Sequence, residues 1–185
     1  MIGQKFLWVL IGFLAISLAT PAAAQEETET PSTQAADPAD VESIDAIMAA
    51  VYDVISGDAG VKRDWDRMRS LFVPDARLIP YSRNAPSGVL SMTVEDYIER
   101  SGPFLEGQGF HEIEIGREMH QYGNIVQAFS AYEARNSLDD PEPFMRGINS
   151  FQLVYAEDRW WVVTIFWQRE TEDNPIPAEY LFETE

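Results

Sequence analysis

The sequence predicts an α+β domain, with about three N-terminal helices packed on one face of a bent, mostly antiparallel sheet. Three observations carry this. Apolar residues recur at helical spacing early in the chain. Four long extended runs fill its second half. Dipeptides suited to tight turns join two pairs of those runs. Helices gathered before a strand meander give α+β rather than alternating order.

Met1 to Lys5 carries one positive charge, Phe6 to Ala19 carries none, and Pro21-Ala22-Ala23-Ala24 ends the stretch in small residues. That is the order of a secretory leader, residues 1–24, cut before Gln25. The apolar run is short for a membrane anchor, which needs about 20 residues. No stable span is therefore expected after processing. The chain has no cysteine, which suits a bacterial periplasm, where stray thiols oxidise. Residues 25–40 hold five carboxylates, two prolines and no aromatic residue. Such a segment buries too little apolar surface to order itself and reads as a disordered acidic linker.

The folded unit is expected over 41–170. Ile44, Ile47, Met48, Val51, Val54 and Ile55 form one helical stripe stopped by Gly57. Asp64 caps a second helix through Trp65, Met68 and Leu71, ended by Pro74. Ala76 to Tyr81 reads as a short strand, and Ser82 to Gly88 as a loop. Thr93 with Asp96 forms a capping box for a third helix carrying Tyr97 and Ile98. Strands follow at Phe110–Gln121, Asn124–Arg135, Phe144–Ala156 and Arg159–Glu170. Residues 171–185 form a C-terminal tail.

Turns at Tyr122-Gly123 and Glu157-Asp158 set a register, and side chains alternate faces along each strand. One face then collects His111, Ile113, Ile115, Met119, Val126, Ala128, Ser130 and Tyr132. It continues with Asn149, Phe151, Leu153, Val162, Thr164, Phe166, Gln168 and Glu170. This mostly apolar set is expected under the helices. The opposite face collects Glu112, Glu114, Glu118, His120, Phe129, Glu133 and Arg146, with Trp161, Ile165, Trp167 and Arg169.

The helix order, the stretch from Trp65-Asp66 to Leu71-Phe72-Val73-Pro74-Asp75-Ala76-Arg77, and the strand Arg159-Trp160-Trp161-Val162-Val163-Thr164-Ile165-Phe166-Trp167 resemble the SnoaL-like branch of the nuclear transport factor 2-like superfamily. The resemblance implies a cystatin-like cone, with the helices closing the curved sheet around an apolar pocket. It implies either isomerase-, dehydratase- or cyclase-like enzymes or proteins that only bind or assemble. Fold alone does not choose between them.

Among the inward residues, His111, Tyr132 and Asn149 are the candidate catalytic set. A histidine titrates near neutrality and suits a general base. Tyr132 and Asn149 suit hydrogen bonding to a developing enolate oxygen. Tyr81, Tyr97, Thr164, Phe166 and Glu170 are the candidate ligand contacts, giving an apolar cavity with few polar groups. Alternation separates His111 from Glu112 and Glu114, which argues against a metal site. No dinucleotide loop, phosphate loop or nucleophile elbow is present. A formal charge of −18 argues against nucleic acid.

Two readings stay open. One is an exported domain that binds a small apolar or aromatic molecule, with or without cofactor-free isomerase or lyase chemistry. The other is a non-catalytic module that assembles through its outer face. The outward Phe129, Trp161, Ile165 and Trp167 suggest a homodimer. The alternative is that the tail, through Ile176, Tyr180, Leu181 and Phe182, folds back over the same patch. Intact-mass analysis of exported protein is expected to show a chain beginning at Gln25. Full-length chain recovered from membranes would contradict that.

Overall fold

The computed structural model describes residues 35–82, 85 and 87–182. The leader and residues 25–34 of the linker lie outside the described residues. The chain order is α1 (Pro38–Val41), α2 (Ile44–Ile55), α3 (Trp65–Leu71), β1 (Phe72–Pro80), α4 (Val94–Gln108), β2 (His111–Tyr122), β3 (Ile125–Arg135), β4 (Met145–Ala156) and β5 (Arg159–Arg169). A short 3-10 turn, Ala178–Tyr180, follows in the tail. The five strands form one sheet in the order β1-β5-β4-β3-β2. Only the β1–β5 pair is parallel.

The helix caps form as the sequence dictates. Asp64 accepts from Arg67 N, and Thr93 and Asp96 bond reciprocally in a capping box. The apolar stripe of α2 packs Ile47 and Met48 against Met68, Leu71, Phe151 and Val162, all essentially excluded from solvent. Folding starts earlier than expected. Asp37 caps α1, and Asp40 grips Arg67 through both oxygens at 2.8 and 2.9 Å. The end of the acidic linker is therefore structured, because its carboxylates have cationic and backbone partners. Pro74 does not end α3. It lies inside β1, an edge strand, where a missing N–H is tolerated.

Arg63 ties the helix ends together. It is 6% exposed, and its guanidinium donates to the carbonyls of Ile55, Gly57, Val61 and Leu105. Two of these carbonyls, those of Ile55 and Leu105, belong to the last turns of α2 and α4, where they lack intrahelical donors.

The tail covers part of the outer sheet face. Tyr180 stacks on Phe129 with centroids 5.6 Å apart, and Phe182 N donates to Ile115 O at 2.9 Å. Trp161 lies under the Arg159 guanidinium, 3.6 Å from its centroid.

Replacing Arg63 with Leu is expected to leave these carbonyls without donors and to destabilise the domain by roughly 3 kcal/mol. A urea midpoint unchanged from wild type would contradict this.

Candidate functional site

Two bulges decide which side chains meet the helices. Near the β2–β3 turn, Met119 opposes Ala128. Beyond Ile115 the pairing shifts by one, so that Glu114 opposes Tyr132 and Glu112 opposes Ala134. Ile115 is the extra residue, and everything N-terminal to it in β2 changes face. On β5, Leu153 opposes Val162 but Gln152 opposes Thr164. Val163 is the extra residue there. Ile165, Trp167 and Arg169 consequently turn inward, while Thr164, Phe166 and Gln168 turn outward.

The inward residues enclose a cavity of about 170 Å³ between the sheet and α2, α3 and α4. Its walls are largely apolar, including Val51, Leu78, Leu105, Phe151, Ile165 and Trp167. The polar groups facing it are Tyr97, Ser101, Glu112, Tyr132, Asn149 and Arg169. An apolar void of about 150 Å³ accepts a benzene-sized guest, so this one suits a molecule of about one ring.

Glu112 is the central polar group. Its carboxyl accepts from Asn149 Nδ2 at 2.9 Å. Burial pushes its pKa up from 4.5 to about 7, and the Asn149 bond opposes this only partly. The second Asn149 proton reaches Tyr52 Oη at 3.2 Å. Tyr52 and Ser130 are 2.6 Å apart, and Ser130 donates to Glu114 Oε1 at 2.5 Å. Arg117 holds both oxygens of Glu114, at 2.8 and 2.7 Å. The row therefore has one direction. Asn149 donates to Tyr52, Tyr52 to Ser130, and Ser130 to a carboxylate paired with Arg117. Asn149 occupies Oε1 of Glu112, which leaves Oε2 as the oxygen able to exchange a proton.

Tyr97 and Tyr132 are the other groups facing the void. Burial, and then the charge of Glu112, pushes both hydroxyls above their ordinary pKa, so they stay protonated donors. Neither hydroxyl has a side-chain partner among the described residues, and neither is fully enclosed by protein. Each is open to the cavity. Tyr132 lies across Gly147, where a Cβ would come within 2.7 Å of its hydroxyl and 2.5 Å of Gln168 O.

The structure brings Tyr132, Asn149 and Tyr97 together at this cavity. The other expected residues lie elsewhere. His111 faces away and sits 3.0 Å from Asp58, because the Ile115 bulge reverses its end of β2. Thr164 and Phe166 are outward because of the Val163 bulge. Glu170 pairs with Arg146 at 3.3 Å and accepts from Ile176 N. Tyr81 is 41% exposed and bridges Val89. Glu112, Trp167 and Arg169, expected on the outer face, line the cavity instead. The available signal was Gly116 beside a run that alternation would otherwise make continuous, since glycine inside a strand often marks a bulge.

No family model matches the chain, and no curated protein matches it. Solved structures do resemble it. A protein of unknown function from Nostoc punctiforme, described as having a cystatin-like fold, superposes with a TM-score of 0.55 at 11% identity, over 70% of this chain and 90% of that one. The fold is cystatin-like. A protein of unknown function from Mycobacterium tuberculosis gives a TM-score of 0.54 at 11% identity, over 73% of this chain and 75% of that one. A putative calcium/calmodulin-dependent protein kinase II association domain from Xanthomonas campestris gives 0.50 at 14% identity, over 69% and 88%. These likenesses establish the cystatin-like fold and leave the site to be read from its own residues. Among the described residues, no helix is long and apolar enough to cross a membrane, and no three His, Asp or Glu side chains are grouped to hold a metal.

The cystatin-like core should record the Glu112 shift. The folded chain holds a proton between pH 4.5 and about 7 that the unfolded chain has released. Its contribution to stability is present below pH 4.5 and is lost as pH rises through about 7. Glu112→Gln is expected to flatten that fall and to stabilise the domain at pH 8 by on the order of 2 kcal/mol. Parallel stability–pH curves for variant and wild type would show that Glu112 titrates normally.

Proposed function

We propose that this chain is a small-molecule-binding domain of the SnoaL-like branch that performs acid–base chemistry beside a carbonyl without a cofactor. The observation that carries this reading is Glu112, a carboxyl with a pKa of about 7 facing an apolar cavity with two uncommitted tyrosine hydroxyls. Glu112 Oε2 takes a proton from the carbon next to the carbonyl. The C–H electron pair forms the new C=C bond and the carbonyl π pair moves to oxygen, where Tyr132 and Tyr97 donate hydrogen bonds to the enolate. Return of the proton to a different carbon isomerises the substrate. Departure of a β-substituent instead eliminates it. A base with a pKa near ambient pH balances proton affinity against the fraction ionised, and fixed donors at the oxyanion supply much of the barrier reduction.

We further propose that residues 1–24 direct export and that the domain works in the periplasm. The uncharged run before Ala24 supports this. The alternative of a non-catalytic module that dimerises through its outer sheet face has lost most of its support. Ile165 and Trp167 lie inside, and Phe129 lies under Tyr180. Exposed Phe166, and Trp161 beneath Arg159 on the outer face, still favour it.

Deuterium exchange of cyclohexanone in D2O, followed by NMR, tests the reaction with a probe of the right size. Wild type is expected to accelerate exchange, with a rate that rises with pH through about 7, the pKa of the base. Glu112→Gln is expected to lower that rate by about 10²-fold or more. Tyr132→Phe should lower it by about 10²-fold. Equal exchange by wild type and Glu112→Gln would overturn the catalytic reading.

A further inference from the structure

A second, larger space adjoins the cavity. A cleft of about 440 Å³ lies beside it and shares Ser101, Trp167 and Arg169 with its lining. The cleft adds Arg100, from the exposed side of α4, to Arg169 at the end of β5. Two guanidinium groups thus stand on the same cleft, next to the mouth of an apolar void.

These two arginines differ from most of the others. Arg67, Arg69, Arg117, Arg135 and Arg146 each pair with a carboxylate. Arg63 and Arg159 donate to main-chain carbonyls. Among the described residues, neither Arg100 nor Arg169 has an acidic partner or a hydrogen bond from its guanidinium. The chain has 31 acidic residues against 13 basic ones, so acidic partners are plentiful. Two cations left uncommitted on one cleft are a local exception to that charge pattern. Guanidinium groups bind carboxylate and phosphate oxygens through planar, paired donors.

We propose that the ligand is a small organic anion, with a one-ring apolar body in the cavity and a carboxylate or phosphate held between Arg100 and Arg169. This inference rests on the reading of the cavity as a ligand site and adds the chemical class of what enters it. The geometry also orients the ligand. The charged end stays in the open cleft, where its hydration is partly kept, and the uncharged end reaches Glu112. An anion driven fully into the cavity would meet the Glu112 carboxylate in an apolar setting, which is strongly unfavourable. Two guanidinium groups at the rim repel an organic cation and attract an anion.

Calorimetric titration of the folded domain tests this with benzoate, phenylacetate and 3-phenylpropanoate, each against its amide, and with phenyl phosphate. Wild type is expected to bind at least one anion about tenfold more tightly than its neutral partner, the scale of a charge-assisted contact at a half-open rim. Arg100→Gln/Arg169→Gln should remove that preference and leave amide binding within about twofold. The better of the carboxylates or phenyl phosphate identifies the group. If the amides bind as well as the anions, or the double variant keeps the preference, the anion inference fails while the cavity reading stands. If neither anions nor amides bind, the cavity is not a ligand site for molecules of this class and both readings fail.

Discussion

One extra residue in β2 organises the site. Without Ile115 as a bulge, Glu112 and Glu114 would turn outward, and His111 and Ile113 would take their places under the helices. With it, two carboxylates enter a helix-covered interior, where an unpaired charge is strongly disfavoured. The bulge is fastened from outside by the tail. Phe182 N donates to Ile115 O, and the main chain at Tyr180 and Leu181 lies where a Cβ on Gly116 would be. Only glycine permits that approach. The tail therefore supports the strand geometry that places Glu112, although it lies on the other side of the sheet.

Two glutamates on one face, two positions apart, end in opposite states. Glu114 is held by Arg117 through both oxygens and by Ser130, so its charge is matched. Glu112 receives one amide proton and otherwise faces apolar walls, so its pKa rises. Pairs of acids whose environments diverge in this way are how a fold assigns separate roles to identical side chains. The hydrogen-bonded row from Asn149 through Tyr52 and Ser130 joins the two sites without passing a proton between them. An amide nitrogen donates but does not relay. The row instead fixes the Asn149 amide, and with it the oxygen of Glu112 that stays free.

Most of the architecture was legible in the sequence, because periodicity and capping are local. The stripe from Ile44 to Ile55, the caps at Asp64 and Thr93, and the turn at Glu157-Asp158 all formed as read. So did the inward faces of β3 and β4, including Tyr132 and Asn149, because those central strands run without interruption. The failures lie on β2 and β5, beyond Ile115 and Val163, and at the β2–β3 turn, which is Gly123-Asn124 rather than Tyr122-Gly123 and shifts that register by two without changing faces. A bulge changes no composition and adds only one residue to a long strand, yet it exchanges every face beyond it. His111 and Glu112 changed places for that reason, as did Phe166 and Trp167. The start of the domain was also misplaced. Asp37 and Asp40 look like linker charges until Arg67, 27 residues beyond Asp40, is brought beside them.

The site is maintained against stability. The apolar walls of this half-open pocket lack the packing partners a filled core would give them, and an ionised Glu112 adds a buried charge above its pKa. Larger side chains at Val51 or Ser101 would fill the space, and glutamine at position 112 would remove the buried acid. The interior instead holds a pocket with an acid, two phenols that have no side-chain partner among the described residues, and a cationic rim. Its cost is met by features far from the void, above all Arg63 closing the ends of α2 and α4 and Arg67 holding α1 against α2 and α3. That division places rigidity at the helix ends and leaves the buried acid and the open space in the interior.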